Sequence, residues 1–435
     1  MKLRPEISSL FLLRWLIQAV VAGAIACITV QIFQVLYTFG SHVLDATAIS
    51  PLIWSIAAAL LVGLFLYPLS AEAIGEGIPL YLAAVRPPGA LLPLRASLVK
   101  FPATLITLVG YGSGGVVGPL GQINAGFVQW VTLILRQSFP RLFGDQQKHH
   151  HDYQPPTTAA ICGLAAAIAA IFHSPIGAAV FAVEVIQKEQ LRYHQIFPAI
   201  LASTSAVLWA NLFHWDPVYF FSVTPFEVSV VVLIPVVLAG LASGFFGLFY
   251  TRVYRFLSSL FNRNEGKRLV PKLVVSISAS TALGILINPH ILRTSNELIP
   301  AIFSGDFPLL RGNLPGATPI FLVAAILFLV KLVGNSITVA GGMSAGFTGP
   351  TLIIGMLGGY FLSAVMGFDP GSQLHLAMIA AGFAGMLASS MNVPLAAAIL
   401  TAELFGPSYG AIGGISAIVG FQVARYSTIY DSAMT

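Results

Sequence analysis

KFPATLITLVGYGSGGVVGPL, at residues 100–120, has a counterpart in KLVGNSITVAGGMSAGFTGPT, at residues 331–351. Each stretch opens on a lysine and reaches, fifteen residues later, a glycine-rich turn that ends in proline. The turns are Gly115-Val116-Val117-Gly118-Pro119 and Gly346-Phe347-Thr348-Gly349-Pro350, related by an offset of 231 along the chain. These stretches indicate that the chain contains an internal duplication.

A second set of residues repeats at an offset of 219. In each half a glycine is followed, twelve positions later, by a proline and, nine positions after that, by a glutamate. The sets are Gly163, Pro175 and Glu184, and Gly382, Pro394 and Glu403. Duplicated apolar chains are typical of transporters and channels whose binding site lies between the halves, near the middle of the bilayer. The duplicated turns are therefore the first candidates for function.

The composition excludes a soluble domain. Hydrophobic residues make up 57% of the 435 and charged residues only 9%, too few to cover a protein of this size with polar surface. A chain that crosses lipid must satisfy its backbone internally, so we predict an all-α, polytopic membrane protein. Many of the 41 glycines and 27 prolines lie at the edges or inside apolar runs, which predicts tilted and broken helices.

The domain boundary is predicted at the polar break that includes His214 and Asp216. We expect a first membrane repeat at 1–213 and a second at 214–435, of opposite orientation, with a C-terminal helix that lines the pore. Basic residues cluster at 136–148 and at 252–268, which predicts cytoplasmic loops there. The net charge of +5 is modest, and nothing indicates nucleic acid as a partner.

Three consecutive histidines, His149 to His151, lie in a polar loop at 144–152. Consecutive histidines do not share one helical face, and no second cluster offers further ligands. We therefore interpret the loop as solvated and expect no metal and no cofactor.

The duplicated turns have the composition of an anion site. Glycine lets the backbone approach a ligand closely, and proline fits the first helical position because its missing N–H costs nothing there. The unpaired N–H groups and the positive end of the helix dipole then attract an anion without a fixed positive charge. A third turn, Gly75-Glu76-Gly77-Ile78-Pro79, has a similar pattern of glycines followed by a proline. The alternative for each turn is a helix break stabilised by packing.

With these turns the chain resembles the CLC family of chloride channels and proton/anion exchangers, from Tyr67 to Tyr430. The turn at 75–79 resembles the family's GSGIP turn, that at 115–119 its GREGP turn, and that at 346–350 its GxFxP turn. Residues 162–184 and 427–431 are similar to its fourth signature region and its last helix. The resemblance implies two inverted repeats, a homodimer with one pore per subunit, and a small monovalent anion such as chloride as the transported ion.

The resemblance further implies a multi-pass protein of a bacterial inner membrane. The sequence ends thirteen residues after Gln422, so we expect a member without cytosolic CBS domains.

The two proton-handling glutamates of the family's exchangers are absent. The alignment of the first turn places Val116 and Val117 where the family has Arg and the gating Glu, and Val185, after Glu184, where exchangers have their inner proton-accepting Glu. A passive, channel-type pathway is therefore the leading hypothesis. The alternatives are a relative that Val117 has closed, and a proton-coupled antiporter in which Glu76 is both gate and proton carrier.

Glu76 occupies the position of the family's pore serine. Three states are open to it. It is protonated and donates to the anion, or it is ionised and occupies the anion position as a relocated gate, or it turns aside and caps a helix.

Other candidates come from the second repeat and the end of the chain. Thr348 falls where the family has a pore-lining Phe, Phe347 precedes it, and Tyr430, rather than Tyr426, is expected to supply a hydroxyl to the anion. Glu184 is an intramembrane carboxylate and a candidate for the proton path, but both it and Glu403 also suit a helix-capping role. Lys100 and Lys331 are expected to snorkel or to offset helix C-termini.

Two further function classes are disfavoured. An intramembrane protease would need a Ser–His pair, two close Asp residues or an HExxH helix; the sequence has no HExxH, and none of its seven Asp residues is paired within an apolar run. We therefore expect no enzyme activity. A cation transporter would account for Glu76, but converging helix N-termini disfavour cations.

Overall fold

The computed structural model describes residues 5–87, 89–140, 155–186, 193–219, 221, 223–225, 230–262 and 269–431. These residues form seventeen α-helices joined by turns and short 3₁₀ segments, and no strand. The helices are α1 (Pro5–Asp45), α2 (Pro51–Leu61), α3 (Ile78–Val85), α4 (Leu94–Val109), α5 (Val117–Ser138), α6 (Pro155–Phe172), α7 (Pro175–Glu184), α8 (Tyr193–Leu212), α9 (Leu233–Asn262), α10 (Leu269–Ile287), α11 (Leu298–Ser304), α12 (Phe307–Arg311), α13 (Ile320–Ala340), α14 (Thr348–Val365), α15 (Gln373–Met391), α16 (Pro394–Phe405) and α17 (Gly410–Ala424). The histidine loop at 144–152 lies outside the described residues.

Seven helical segments of the described chain are long and apolar enough to cross a membrane. Several others are apolar but short: α7 has 10 residues and α16 has 12, against about 20 needed to span the hydrocarbon core. Such helices must stop inside the protein. The prediction of an all-α membrane protein with broken helices is confirmed.

The order of helices repeats along the chain. The long helices α1 and α9 are each followed by seven or eight helices of the described chain. Helices α5 and α14 begin at Val117 and Thr348, which are related by the offset of 231. Helices α7 and α16 begin at Pro175 and Pro394, which are related by the offset of 219. This correspondence extends the duplication from sequence to helix order, while the bounds 1–213 and 214–435 stay a prediction.

The orientation is assigned from the basic cluster at 252–268. The sequence predicts a cytoplasmic loop there, which is wrong for residues 252–262, because Arg252 and Arg255 lie in the last turns of α9. Helix α10 begins seven positions after the end of α9, at Leu269, and ends at Ile287, so the segment after Ile287 lies at the opposite end of the bundle from the basic cluster. Near the end of the chain, Asp431 forms an ion pair with Arg255, which places the C-terminal segment at the basic end. We call the basic end the inner side and the opposite end the outer side.

The two duplicated turns are joined to each other. The N–H of Gly115 donates to the carbonyl of Gly346 at 2.9 Å, and the N–H of Gly346 donates back to Gly115 at 2.8 Å. This pair is an isolated antiparallel bridge. Because equivalent residues of the two repeats exchange equivalent bonds, the turns are related by a local two-fold axis, as expected for halves of opposite orientation.

Glycine is required at the bridge because the opposing proline approaches it. A Cβ at Gly115 would lie 2.6 Å from Cδ of Pro350, and a Cβ at Gly346 would lie 2.9 Å from Cδ of Pro119. The spacing that the two turns share in the sequence therefore reflects mutual packing as well as helix initiation.

We expect Gly115→Ala to destabilise the protein, because the added methyl group overpacks the bridge. Overpacking of this kind costs about 1–3 kcal/mol. The matched control is Gly414→Ala in α17, where a Cβ meets nothing within 4 Å and a helical glycine is replaced by a better helix former. Thermal unfolding in detergent should show a lower midpoint for the first variant only; equal midpoints would contradict the packing assigned to the bridge.

Candidate anion site where three helices begin

The turn at 75–79 packs against the bridged turns. A Cβ at Gly77 would lie 2.3 Å from the carbonyl oxygen of Gly118, and the N–H of Gly75 donates to the carbonyl of Gly342 at 3.1 Å. The first residues of α3, α5 and α14 are thus brought together, as the sequence predicts. We call the place where these three helices begin the meeting point.

Glu76 lies at the meeting point and is only 6% exposed. Its Oε2 accepts a bond of 2.5 Å from the N–H of Ile78, in the first turn of α3. Its Oε1 approaches Gly118 so closely that a Cβ there would lie 1.9 Å away. The backbone amide of Phe347 and the hydroxyl of Tyr430 lie near the same carboxylate without a hydrogen bond to it, and that hydroxyl is directed at the sulfur of Met391, 3.9 Å away. Glu76 therefore caps α3 with one oxygen and directs the other at the start of α5, and the three states of its carboxyl stay predictions.

Lys100 binds the backbone of the turn at 75–79. Its Nζ donates to the carbonyls of Gly75 at 2.6 Å, Glu76 at 3.0 Å and Ala73 at 3.2 Å. Lys331 plays the equivalent part on the outer side, where it donates to the carbonyls of Arg293 at 2.8 Å and Ile291 at 3.2 Å. Both side chains are fully buried, so they do not snorkel; the alternative, that they offset helix C-termini, fits Ala73 and Ile291, which end 3₁₀ segments. They bind turn carbonyls, because a buried ammonium needs acceptors for its three donors.

Phe347, Thr348 and Tyr430 lie on the inner side of the meeting point. The Phe347 ring packs edge-on against Tyr254, with centroids 4.7 Å apart, and against Tyr430 at 6.3 Å. Tyr430 is buried, whereas Tyr426 is 82% exposed, so the structure places the former and not the latter beside Glu76. The Thr348 hydroxyl lies near that of Tyr430.

Several buried polar atoms around the meeting point have no hydrogen-bond partner in the described protein. They are Oε1 of Glu76, Oγ1 of Thr348, and both amide atoms of Gln122, whose Cβ would lie 3.0 Å from a Cβ on Gly77. Buried polar groups are nearly always satisfied by protein, water or ligand. Such a concentration indicates a polar occupant. Gln122 is a candidate that sequence analysis missed, although its position one turn into α5 could have suggested it.

Val116 and Val117 begin α5 and are 1% and 0% exposed. Neither side chain can ionise, so the first turn contributes backbone groups and apolar packing to the meeting point. Gly118 and Pro119 follow in the first helical turn, where Gly118 leaves space for the Glu76 carboxylate.

Glu184 and Glu403 each cap a helix of the other repeat. The oxygens of Glu184 accept from the N–H groups of Leu395 at 3.0 Å and Ala396 at 2.7 Å, at the start of α16. Those of Glu403 accept from Ile176 at 3.0 Å and Gly177 at 2.8 Å, at the start of α7, and from the Ser174 hydroxyl.

These two sets of bonds join equivalent atoms, because the donor pairs, like the glutamates, are related by the offset of 219. The structure thus gives Glu184 a helix-capping position. Val185, which follows it, is buried and is the C-cap of α7. Neither residue brings a free ionisable group toward the meeting point.

A polar cavity of about 420 Å³ lies on the outer side. Arg293 dominates its wall: its guanidinium binds Asp45 at 2.7 and 3.0 Å and lies 4.0 Å over the ring of Tyr111. The cavity is also lined by Tyr37, whose hydroxyl lies 3.3 Å from that of Thr294.

A buried Ser–His contact occurs elsewhere, between Ser363 and Nδ1 of His375 at 2.8 Å. Nε2 of the same ring faces the carbonyl of Ile302 at 3.2 Å. Both side chains are 0–1% exposed, and the ring's second nitrogen faces a carbonyl rather than an acid. The contact therefore ties α14 to α15 and to the end of α11. Within the described part of the chain, no group of three His, Cys, Asp or Glu side chains could hold a metal ion.

Comparison with known proteins agrees with this architecture. A family described as voltage gated chloride channel matches residues 58–425. A chloride/fluoride channel protein of Pseudomonas syringae pv. tomato is 23% identical over 373 residues, which cover 84% of this chain and 75% of that protein.

Two solved structures are similar over 99% of the chain. One is a CLC-type fluoride/proton antiporter, with a TM-score of 0.76, 21% identity and 98% of its own chain covered. The other is a slow cyanobacterial Cl⁻/H⁺ antiporter, with a TM-score of 0.77, 17% identity and 97% covered. At these identities the structures show a shared fold, and the family match extends over most of the sequence. The chain therefore belongs to the voltage gated chloride channel family, the CLC family that its glycine–proline turns resemble.

Proposed function

We propose that the chain is a passive pathway for a small monovalent anion, such as chloride, and that Glu76 gates it. The observation that carries the proposal is the Glu76 carboxylate, which lies among the first residues of α3, α5 and α14 with one oxygen unpartnered. A carboxylate and a halide bind the same hydrogen-bond donors, namely backbone N–H groups and hydroxyls. The side chain thus occupies the place where an anion would bind.

Electrostatics makes this occupation a gate. Two unit charges about 4 Å apart repel by about 1 kcal/mol in water and about 4 kcal/mol at an effective dielectric near 20. An ionised Glu76 therefore excludes an anion from the meeting point. A protonated Glu76 no longer repels it, and its O–H becomes a donor like the serine hydroxyl of related pores.

The passive mechanism is supported by the other two carboxylate positions. Val117 cannot carry a proton, Val185 cannot accept one, and both oxygens of Glu184 are held by the amides of α16. Positions 117, 184 and 185 therefore provide no free ionisable side chain that could pass a proton to or from Glu76.

A proton-coupled exchanger is the second candidate, because one specific observation favours it. Glu76 combines the two roles that coupling requires: it lies at the meeting point, and its carboxyl can bind a proton there. The two structural neighbours are described as antiporters, which is consistent with this alternative.

Proteoliposome flux separates the two candidates. Purified protein is reconstituted with chloride, fluoride or nitrate inside, and anion efflux and lumenal pH are recorded together. The proposal predicts anion efflux that requires a cation ionophore to balance its charge and that produces no stoichiometric change of lumenal pH in weakly buffered vesicles. Uphill proton movement driven by an anion gradient would instead establish exchange, and selective cation flux would reject both.

We further propose that the protein is a homodimer in a bacterial inner membrane. The short helices α7 and α16 and their neighbours α8 and α17 expose apolar side chains, including Ile176, Leu208, Leu395 and Ile418 at 46–63%. Helices too short to span the bilayer are better covered by protein than by lipid. Mass measurement in nanodiscs should give twice the chain mass of 46.1 kDa, and a single chain mass would contradict the dimer.

A further inference from the structure

The segment that joins the two repeats returns to the meeting point. After α8 the chain is fixed by two backbone contacts at Val218: its N–H donates to the carbonyl of Ile171 at 2.8 Å, and its carbonyl accepts from the amide of Asn296 at 2.7 Å. The next residue, Tyr219, stacks its ring on Phe172 with centroids 5.1 Å apart. These contacts hold the Tyr219 side chain in one position.

The Tyr219 hydroxyl is buried and has no hydrogen-bond partner in the described protein. The residue is 1% exposed, and its Oη approaches Gly349 so closely that a Cβ there would lie 2.1 Å away. Gly349 lies in the first turn of α14, next to the bridge: the same Cβ would be 3.3 Å from Cα of Gly115. An orphaned donor thus points at the beginning of a membrane helix.

Gly349 and Gly118 are equivalent residues of the two repeats, related by the offset of 231. Oε1 of Glu76 approaches one of them, and Oη of Tyr219 approaches the other. Both oxygen atoms are buried and unpartnered. The meeting point therefore has an orphaned polar atom on each side, related by the local two-fold axis although the two residues come from unrelated sequence positions.

The residue before Tyr219, Val218, lies in the wall of the outer cavity. Tyr37 lines the same cavity of about 420 Å³. The cavity contains the partly buried cation Arg293, whose side chain is 13% exposed and paired with Asp45. The cavity on the outer side therefore reaches the residue beside Tyr219.

We propose that the Tyr219 hydroxyl donates a hydrogen bond to the anion on the outer side of the meeting point. This inference rests on the proposed function, since it assigns the outer ligand of the same pathway. A neutral phenol suits that place: it donates to an anion without a charge that would hold it, and a bond to an ion is stronger than one between neutral groups. The transported ion is then the hydrogen-bond acceptor that the Tyr219 hydroxyl lacks within the described protein.

The test is Tyr219→Phe, which removes the hydroxyl and keeps the ring on Phe172. The matched control is Tyr360→Phe, because Tyr360 lies on α14, is equally buried and also has an unpartnered hydroxyl. In proteoliposomes, the external chloride or fluoride concentration that gives half-maximal influx should rise about ten-fold for Tyr219→Phe and stay unchanged for Tyr360→Phe. An unchanged concentration for Tyr219→Phe, or an equal rise in both variants, would overturn the assignment.

Equilibrium binding provides a readout that does not depend on transport. Calorimetric titration of the detergent-purified full chain with chloride and with fluoride should show binding about ten-fold weaker in Tyr219→Phe than in wild type or Tyr360→Phe. Identical isotherms, or no binding of either ion to wild type, would reject the inference. Absence of wild-type flux together with the predicted binding difference would reject the transport proposal and leave the assignment of Tyr219 standing.

Discussion

Glu76→Gln should raise anion flux at neutral pH about ten-fold or more and should abolish the dependence of flux on pH. Glutamine has nearly the shape of the carboxylate but cannot ionise, so the repulsion of about 1–4 kcal/mol between gate and anion disappears at every pH. In wild type, flux should rise as pH falls, because each protonation of Glu76 neutralises the gate. Flux at several pH values in proteoliposomes measures both effects.

Other ionisable groups face Glu76 and could also contribute to the dependence of flux on pH. Lys100 faces it from α4, Tyr250 and Tyr254 from α9, and Tyr430 from the end of the chain. The matched control is Glu72→Gln, an exposed carboxylate four residues earlier that is bound by the Ser70 hydroxyl. Its pH profile should equal that of wild type. A Glu76→Gln variant that keeps the wild-type profile would show that another group gates the pathway.

Lys100→Met should destabilise the folded protein by about 3–5 kcal/mol, the usual cost of removing one partner from a buried ionic contact. Methionine fills similar space but leaves the carbonyls of Ala73, Gly75 and Glu76 without their donor, and leaves the Glu76 carboxylate without its nearest cation. Chemical denaturation in mixed micelles measures the loss of stability.

Lys331→Met is the control for that loss. Lys331 binds equivalent turn carbonyls on the outer side, and no carboxylate is among the groups that influence it. Adding Glu76→Gln should therefore recover part of the stability lost in Lys100→Met, about 1 kcal/mol or more, and none of that lost in Lys331→Met. Equal recovery in both backgrounds would show that Lys100 acts on the carbonyls alone.

The sequence was sufficient for the architecture because the duplication determines the geometry. The offset of 231 pairs Gly115 with Gly346, and the structure joins these two residues by reciprocal hydrogen bonds. The offset of 219 pairs Glu184 with Glu403, which proved to cap each other's repeat. Residues that recur in two inverted halves have equivalent surroundings, so recurrence predicts contact across the axis.

Residues without a counterpart in the other repeat were harder to place. The sequence left three states open for Glu76, because helix capping and occupation of the meeting point are not distinguished by a residue's position in a turn. Tyr219 gave no signal at all: it lies in an irregular segment between repeats, and only the fold shows that its hydroxyl reaches Gly349. The burial of Lys100 and Lys331 was missed for a similar reason, since their acceptors are backbone carbonyls, which every sequence contains.

The family match supports anion transport by this chain, and our proposal places Glu76 at the centre of the pathway. In that proposal the carboxylate takes the position of a ligand of the same charge, which makes gating and binding competitive. Such competition requires no movement of helices: one side chain changes its charge or its rotamer. A gate of this kind responds to pH without a dedicated sensor domain.

The most direct test is the position of bromide in crystals of wild type and of Glu76→Gln, located by anomalous diffraction at one high pH. The account predicts a peak in Glu76→Gln within hydrogen-bond distance of the Ile78 and Phe347 amides and the Tyr430 hydroxyl, and none there in wild type, where the carboxylate fills the place. A peak at the same place and strength in both proteins, or none near these groups in the variant, would contradict it.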